Sequence, residues 1–169
     1  MITPLNELYD IITKSNFNLI GYNYREERGK NEFLKKFNPL YINHEDSIRS
    51  YIRDHRIDNI VGSNNTTFDS FVVDLSGLKS DYRFTQHITE QLRADSITYN
   101  AQIIATVAVN YNVNTGVKTK SSALITAMRP SLVYPADVVA VFFDNNIKII
   151  KNRYGREFTI ENYKQYLNI

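Results

Sequence analysis

Leu5, Leu8, Tyr9 and Ile12 recur at the i, i+3, i+4, i+7 spacing of one helix face, with Thr3 placed to cap and Pro4 at the first helical position. The period then shortens: Ile20, Tyr22 and Tyr24 alternate and predict a strand over 18–24. Helical spacing returns with Phe33, Leu34 and Phe37 in the mixed-charge stretch 25–37, which Asn38-Pro39 should end. A second amphipathic helix is predicted over 44–56. Asn43 would cap it, Glu45 and Asp46 would sit in its first turn, and Ile48, Tyr51 and Ile52 would share a face. Residues 57–61 and 68–75 read as strands around a turn at 62–65, the second containing the apolar run Phe71, Val72, Val73. Between 81 and 95 both templates fit, because Tyr82, Phe84, Ile88 and Leu92 suit a helix face and are also all even-numbered; the helix is preferred.

From residue 101 onward β-branched residues dominate. Segments 101–113 and 117–128 flank Asn114-Thr115-Gly116 and predict a long antiparallel hairpin. Pro130 and Pro135 bracket a loop, and 137–144 and 147–152 flank Asn145-Asn146, a second hairpin signal because asparagine tolerates positive φ. A closing helix over 159–167 would align Ile160, Tyr163 and Leu167. Together these elements predict an α+β fold: a mostly antiparallel sheet with a long central hairpin, and amphipathic helices at the N-terminus, near 44–56 and at the C-terminus. With no repeat and no linker, residues 1–169 are expected to form a single domain.

Composition narrows the chemistry. The chain has 169 residues, 43% hydrophobic and 22% charged, with 20 Lys and Arg against 18 Asp and Glu, which is too balanced to announce a nucleic-acid or membrane partner. It has no cysteine, which excludes disulfides, thiolate nucleophiles and thiolate metal sites. No stretch approaches the ~20 apolar residues of a membrane helix, and the N-terminus lacks a signal-peptide pattern, so the expectation is synthesis in a cytoplasm and no membrane partner. His44, His55 and His87 lack metal-ligand spacing, and no metal or cofactor is expected. His87, Glu90 and Asp95 would approach one another on a helix, which reads as a polar face. Gly29-Lys30 matches the end of a phosphate-binding loop, but the loop's first glycine is missing and Arg-Glu-Glu-Arg precedes the pair, so it is set aside. A metal-dependent nuclease could be assembled from Asp69 and Asp74 with Lys118 or Lys120, although the acid-x-lysine spacing is absent.

The remaining feature is an absence. Between Asp95 and Asp137 lie 41 residues without an acidic side chain, carrying only Lys118, Lys120 and Arg129, where average composition would place about nine charges. Bare β surface pairs with other chains unless it is covered, either within the domain or by a neighbouring subunit. On the second reading Ala105, Val107, Val109, Tyr111, Lys118 and Lys120 form an oligomer interface.

The order of elements, the size and the composition of 19 Asn and 19 Ile, as from an AT-rich genome, resemble small tailed-bacteriophage ring proteins of the head–tail junction, of the connector or tail-terminator kind. The resemblance implies a non-enzymatic homo-oligomeric ring in the virion, made in the host cytoplasm and docked on other virion proteins, with non-specific DNA contact in its lumen. The alternative is a single-strand nucleic-acid-binding module that uses Tyr111, Lys118, Lys120 and Arg129, combining a stacking face with phosphate-neutralising cations.

Overall fold

The computed structural model describes residues 2–42, 60–61, 67–76, 82–98, 100–109 and 120–169. Helix α1 (Pro4–Thr13) starts as the sequence dictates: the Thr3 hydroxyl accepts the Asn6 N–H at 3.2 Å, and Leu5, Leu8 and Ile12 are buried. Strand β1 (Phe17–Tyr22) follows, buried at all six positions rather than on one face. A 3-10 turn (Tyr24–Glu26) leads into α2 (Glu27–Leu34), and a second turn (Lys35–Phe37) ends at Asn38 with φ 45°. Strand β2 (Pro39–Ile42) comes next. The helix expected over 44–56 and the turn at 62–65 lie outside the described residues.

Strands β3 (Ile60–Val61) and β4 (Thr67–Phe68) pair antiparallel as a two-stranded ribbon. The main sheet continues with β5 (Ser70–Asp74), then helix α3 (Tyr82–Thr98), which settles the ambiguous segment as helix. After these come β6 (Ile103–Ala108), α4 (Ser121–Met128), the short α5 (Pro130–Val133), β7 (Val138–Phe143), β8 (Asn146–Asn152) and β9 (Phe158–Ile160). A 3-10 turn (Tyr163–Tyr166) closes the chain where a helix was expected.

The seven-stranded sheet runs β2-β5-β6-β1-β7-β8-β9. The β2–β5, β5–β6, β6–β1 and β1–β7 pairs are parallel, and only β7–β8 and β8–β9 are antiparallel. The expected mostly antiparallel sheet is therefore corrected to a mixed, mostly parallel one. The central hairpin does not exist: its first arm is β6, inserted between β5 and β1, and its second arm is largely helix α4. The segment Ser-Ser-Ala-Leu-Ile-Thr-Ala-Met is rich in helix formers, and Leu124 and Met128 fall four apart on its buried side. The β7–β8 hairpin is present, turning through Asp144 (φ 48°) and Asn145 (φ 61°), one residue earlier than the Asn145-Asn146 pair suggested.

Helices cover both faces of the sheet, which is why its strands carry near-continuous apolar runs. On one face α3, α4 and α5 bring Leu92, Leu124, Met128 and Leu132 against Phe17, Leu19, Val139 and Val141. On the other, α1 and α2 bring Leu5, Leu8, Ile12 and Phe33 against Ile20, Ala140 and Phe142. Gly21 has no side chain because Met128 occupies the space: a Cβ there would stand 2.6 Å from its terminal carbon. Buried Asp137, just ahead of β7, receives Arg93 and Arg153, each 2.8 Å from one carboxylate oxygen.

Candidate phosphate site at the carboxyl ends of the strands

The chain leaves β1 for β2 at one edge of the sheet, whereas β7 is laid on the opposite flank of β1. In open sheets with parallel strands, ligand crevices lie beyond the carboxyl ends of the strands at such a reversal. Here the crevice is a cavity of ≈110 Å³ lined by Tyr22, Glu27, Lys30, Asn31, Asp74 and Thr106. Tyr22 ends β1, Asp74 ends β5, and Thr106 of β6 stands in register with both Asp74 and Ile20. Lys30 comes from α2, the helix that follows β1.

Lys30 is 7% exposed, and its ammonium lies 3.8 Å from the centroid of the Tyr22 ring. Among the described residues it forms no ion pair or hydrogen bond. Burial pulls its pKa below the ordinary lysine value, opposed by the negative charges of Asp74 and Glu27. Burial also raises the pKa of the Tyr22 phenol. Asp74 is exposed, and its carboxylate accepts the Ser76 N–H at 3.0 Å and the Thr106 hydroxyl at 3.5 Å. A buried ammonium whose nearest recorded partner is a ring face is an anion-binding group with its anion missing, since burying such a charge costs several kcal/mol unless it is paired.

The β1–α2 connection is held from the other side. Asn23 caps its own turn, its side-chain oxygen accepting the Arg25 N–H at 3.1 Å and its carbonyl the Glu26 N–H at 2.8 Å. The buried Glu26 carboxylate accepts the Asn145 N–H at 2.9 Å and the Tyr163 hydroxyl at 2.6 Å, and pairs with Lys164 at 3.1 Å. Burial alone would raise the Glu26 pKa, but these hydrogen bonds outweigh it and hold the pKa below the ordinary glutamate value. Tyr163 is shifted well upward, first by burial and then by the Glu26 charge. A Cβ on Gly29 would collide with the Tyr163 hydroxyl, so only glycine lets α2 settle there.

A larger cavity of ≈400 Å³ opens at the amino ends of the strands, lined in part by Tyr9, Asn16, Lys36, Asp69 and Gln102. Its polar groups are already engaged: Gln102 donates to the Ile12 carbonyl at 2.7 Å, and Asp69 accepts from Asn38 at 3.2 Å.

Ala105, Val107 and Val109 are buried inside the chain, on and just beyond the central strand β6, so both faces of that segment are covered within the molecule. Tyr111 and Lys118 lie outside the described residues, Lys120 stands exposed ahead of α4, and Arg129 is exposed with φ 72° between α4 and α5. Asp69 and Asp74 sit at opposite ends of β5, so the nuclease pairing is not assembled. Gly29-Lys30, set aside in the sequence, is the part that reaches a crevice. Its signal was context, a strand before it and a helix after it, more than the missing glycine.

No protein-family model and no curated protein sequence matches the chain. Among solved structures it is similar to an ATPase domain of the DnaB-like helicases (14% identity, 85% of this chain and 79% of that one, TM-score 0.46). It is also similar to a DnaB-like replicative helicase described with its interactions with primase (15% identity, 85% of this chain and 55% of that one, TM-score 0.47). These findings correct the connector or tail-ring resemblance, the non-enzymatic assembly role and the virion partners expected from the sequence. The element layout behind them required a hairpin that the sheet does not contain, and the structures it is similar to are ATPase and helicase domains.

Proposed function

We propose that the chain is a nucleoside-triphosphate-binding module of ATPase type, with the terminal phosphates seated in the crevice between Lys30 and Asp74. The observation that carries this reading is the buried, unpaired Lys30 ammonium on the helix after β1, with Asp74 ending a strand two positions away in the sheet. In phosphate-binding loops of this topology a lysine at the head of the first helix reaches the phosphates, and a carboxylate at a strand end serves the accompanying magnesium ion. Tyr24 stands where such loops have their first glycine, and Asn31 where they have serine or threonine. Two loop amides are also spent on Asn23, so fewer backbone donors face the phosphates than in a glycine-rich loop and more of the work falls to Lys30. Self-association and DNA contact belong to the same proposal, read by light scattering with and without single-stranded DNA.

The test is calorimetric binding of MgATP, with phosphate release measured in parallel. Lys30→Ala should weaken binding about 100-fold. Asp74→Asn should slow phosphate release by about the same factor while binding changes little. Wild-type protein that ignores MgATP, or binding indifferent to Lys30→Ala, would remove the site.

A further inference from the structure

Glu26 and Lys30 stand four residues apart at the start of α2, the glutamate on the N-terminal side, which is the arrangement that most readily forms an ion pair along a helix. The pair is not made. Glu26 is turned toward the C-terminal segment, where its carboxylate takes the Tyr163 hydroxyl, the Lys164 ammonium and the Asn145 N–H, and Lys30 is left over the Tyr22 ring. Every partner that diverts Glu26 comes from the β7–β8 turn or from the closing 3-10 turn, which are themselves tied together by Tyr163 N–H to the Asn145 carbonyl at 3.2 Å and the Asn145 amide to Asn162 at 3.0 Å. Tyr163 is fully buried, its ring packs edge-on against Phe142 at 5.1 Å, and its hydroxyl fills the space that Gly29 leaves open.

We propose that Tyr163, assisted by Lys164, is a positioning residue of the phosphate site: it holds the Glu26 carboxylate away from Lys30 and so keeps the ammonium available to an external anion. The inference rests on the reading of Lys30 as a phosphate ligand. If the hydroxyl is lost, Glu26 loses its shortest bond and becomes free to swing one helical turn along α2, where it would neutralise Lys30 and compete with phosphate. A glutamine at position 26 cannot compete in this way, because it carries no charge.

Calorimetry with MgATP on the full chain separates the possibilities. Tyr163→Phe, which keeps the ring packing, should weaken binding about tenfold. Adding Glu26→Gln to it should return the affinity to within about twofold of wild type. A purely structural role for Tyr163 predicts no recovery in the double variant, because the second change removes still more of the network. Unchanged affinity in Tyr163→Phe, or a double variant no better than the single one, overturns the proposal while leaving Lys30-dependent binding intact. Wild-type protein that does not bind MgATP, or binds it equally with Lys30→Ala, brings down the site and this proposal with it. Should Tyr163→Phe fail to fold, Lys164→Met removes the other side-chain partner at a position one-third exposed, and should weaken binding in the same sense by about threefold.

Discussion

Asp137 and Lys30 are both buried charges, one ahead of the amino end of β7 and the other beyond the carboxyl end of β1, yet the chain surrounds them in opposite ways. Asp137 is saturated: Arg93 and Arg153 both reach the same oxygen at 2.8 Å, and the second oxygen faces the Phe17 N–H at 3.5 Å. Lys30 has an aromatic face and, among the described residues, no carboxylate within ion-pair distance. A charge that only holds elements together is closed off by partners within the fold. One that is buried and left open lowers stability and is explained by what it can bind.

The contrast can be broken most directly at Asp137. Replacing it by alanine leaves Arg93 without its carboxylate beside the sheet and should cost about 3 kcal/mol, the lower end of the range for broken buried pairs because Arg153 is half exposed. Urea denaturation reads this loss, and a change below ~1 kcal/mol would mean that the network is dispensable. Lys30→Met should move stability the other way, by about 1 kcal/mol toward greater stability, since it removes a desolvated charge and keeps the apolar stem. A clear loss of stability in that variant would show that Lys30 is paired in solution.

The smallest effect concerns acid. The folded-state pKa of Glu26 lies below its unfolded value of 4.5, so its ionised form contributes stability that is complete above that pH and is lost as pH falls through the folded value. Removing the Tyr163 hydroxyl brings the two values closer. The acid unfolding midpoint of Tyr163→Phe, followed by circular dichroism, should therefore lie at higher pH than that of the wild type, and coincident midpoints would detach Tyr163 from the Glu26 titration.

How much of this was legible beforehand follows the range of the interactions involved. Thr3, Pro4 and the Leu5, Leu8, Ile12 face identify α1 from neighbours within one or two turns, and the β7–β8 hairpin announces itself through adjacent residues that tolerate positive φ. Pairing between β6 and β1 leaves no such trace, because Ile103 to Val107 look the same whether their partner is a hairpin arm or a strand 86 positions earlier. The lack of acid between Asp95 and Asp137 was real. It reflects a central strand and the helices packed beside it, sealed within the chain, more than an edge awaiting a neighbour. Lys30 could be seen but not interpreted: the missing first glycine spoke against it, while the strand–turn–helix that gives it meaning appears only once β1 is known to be central. Asp74 was noticed for a pairing with Asp69 that the strand itself forbids, since the two stand at its opposite ends.

The place of β1 carries a last consequence, for the birth of the molecule. It is the first strand of the sheet to be synthesised, but its two neighbours are Ile103–Ala108 and Val138–Phe143. A nascent chain must therefore release most of its length from the ribosome before β1 finds either side of its ladder, holding six sheet-forming residues unpaired meanwhile. Closure of such distant contacts is slow and leaves apolar strands open to aggregation. The strand that organises the finished sheet is the one that waits longest to join it.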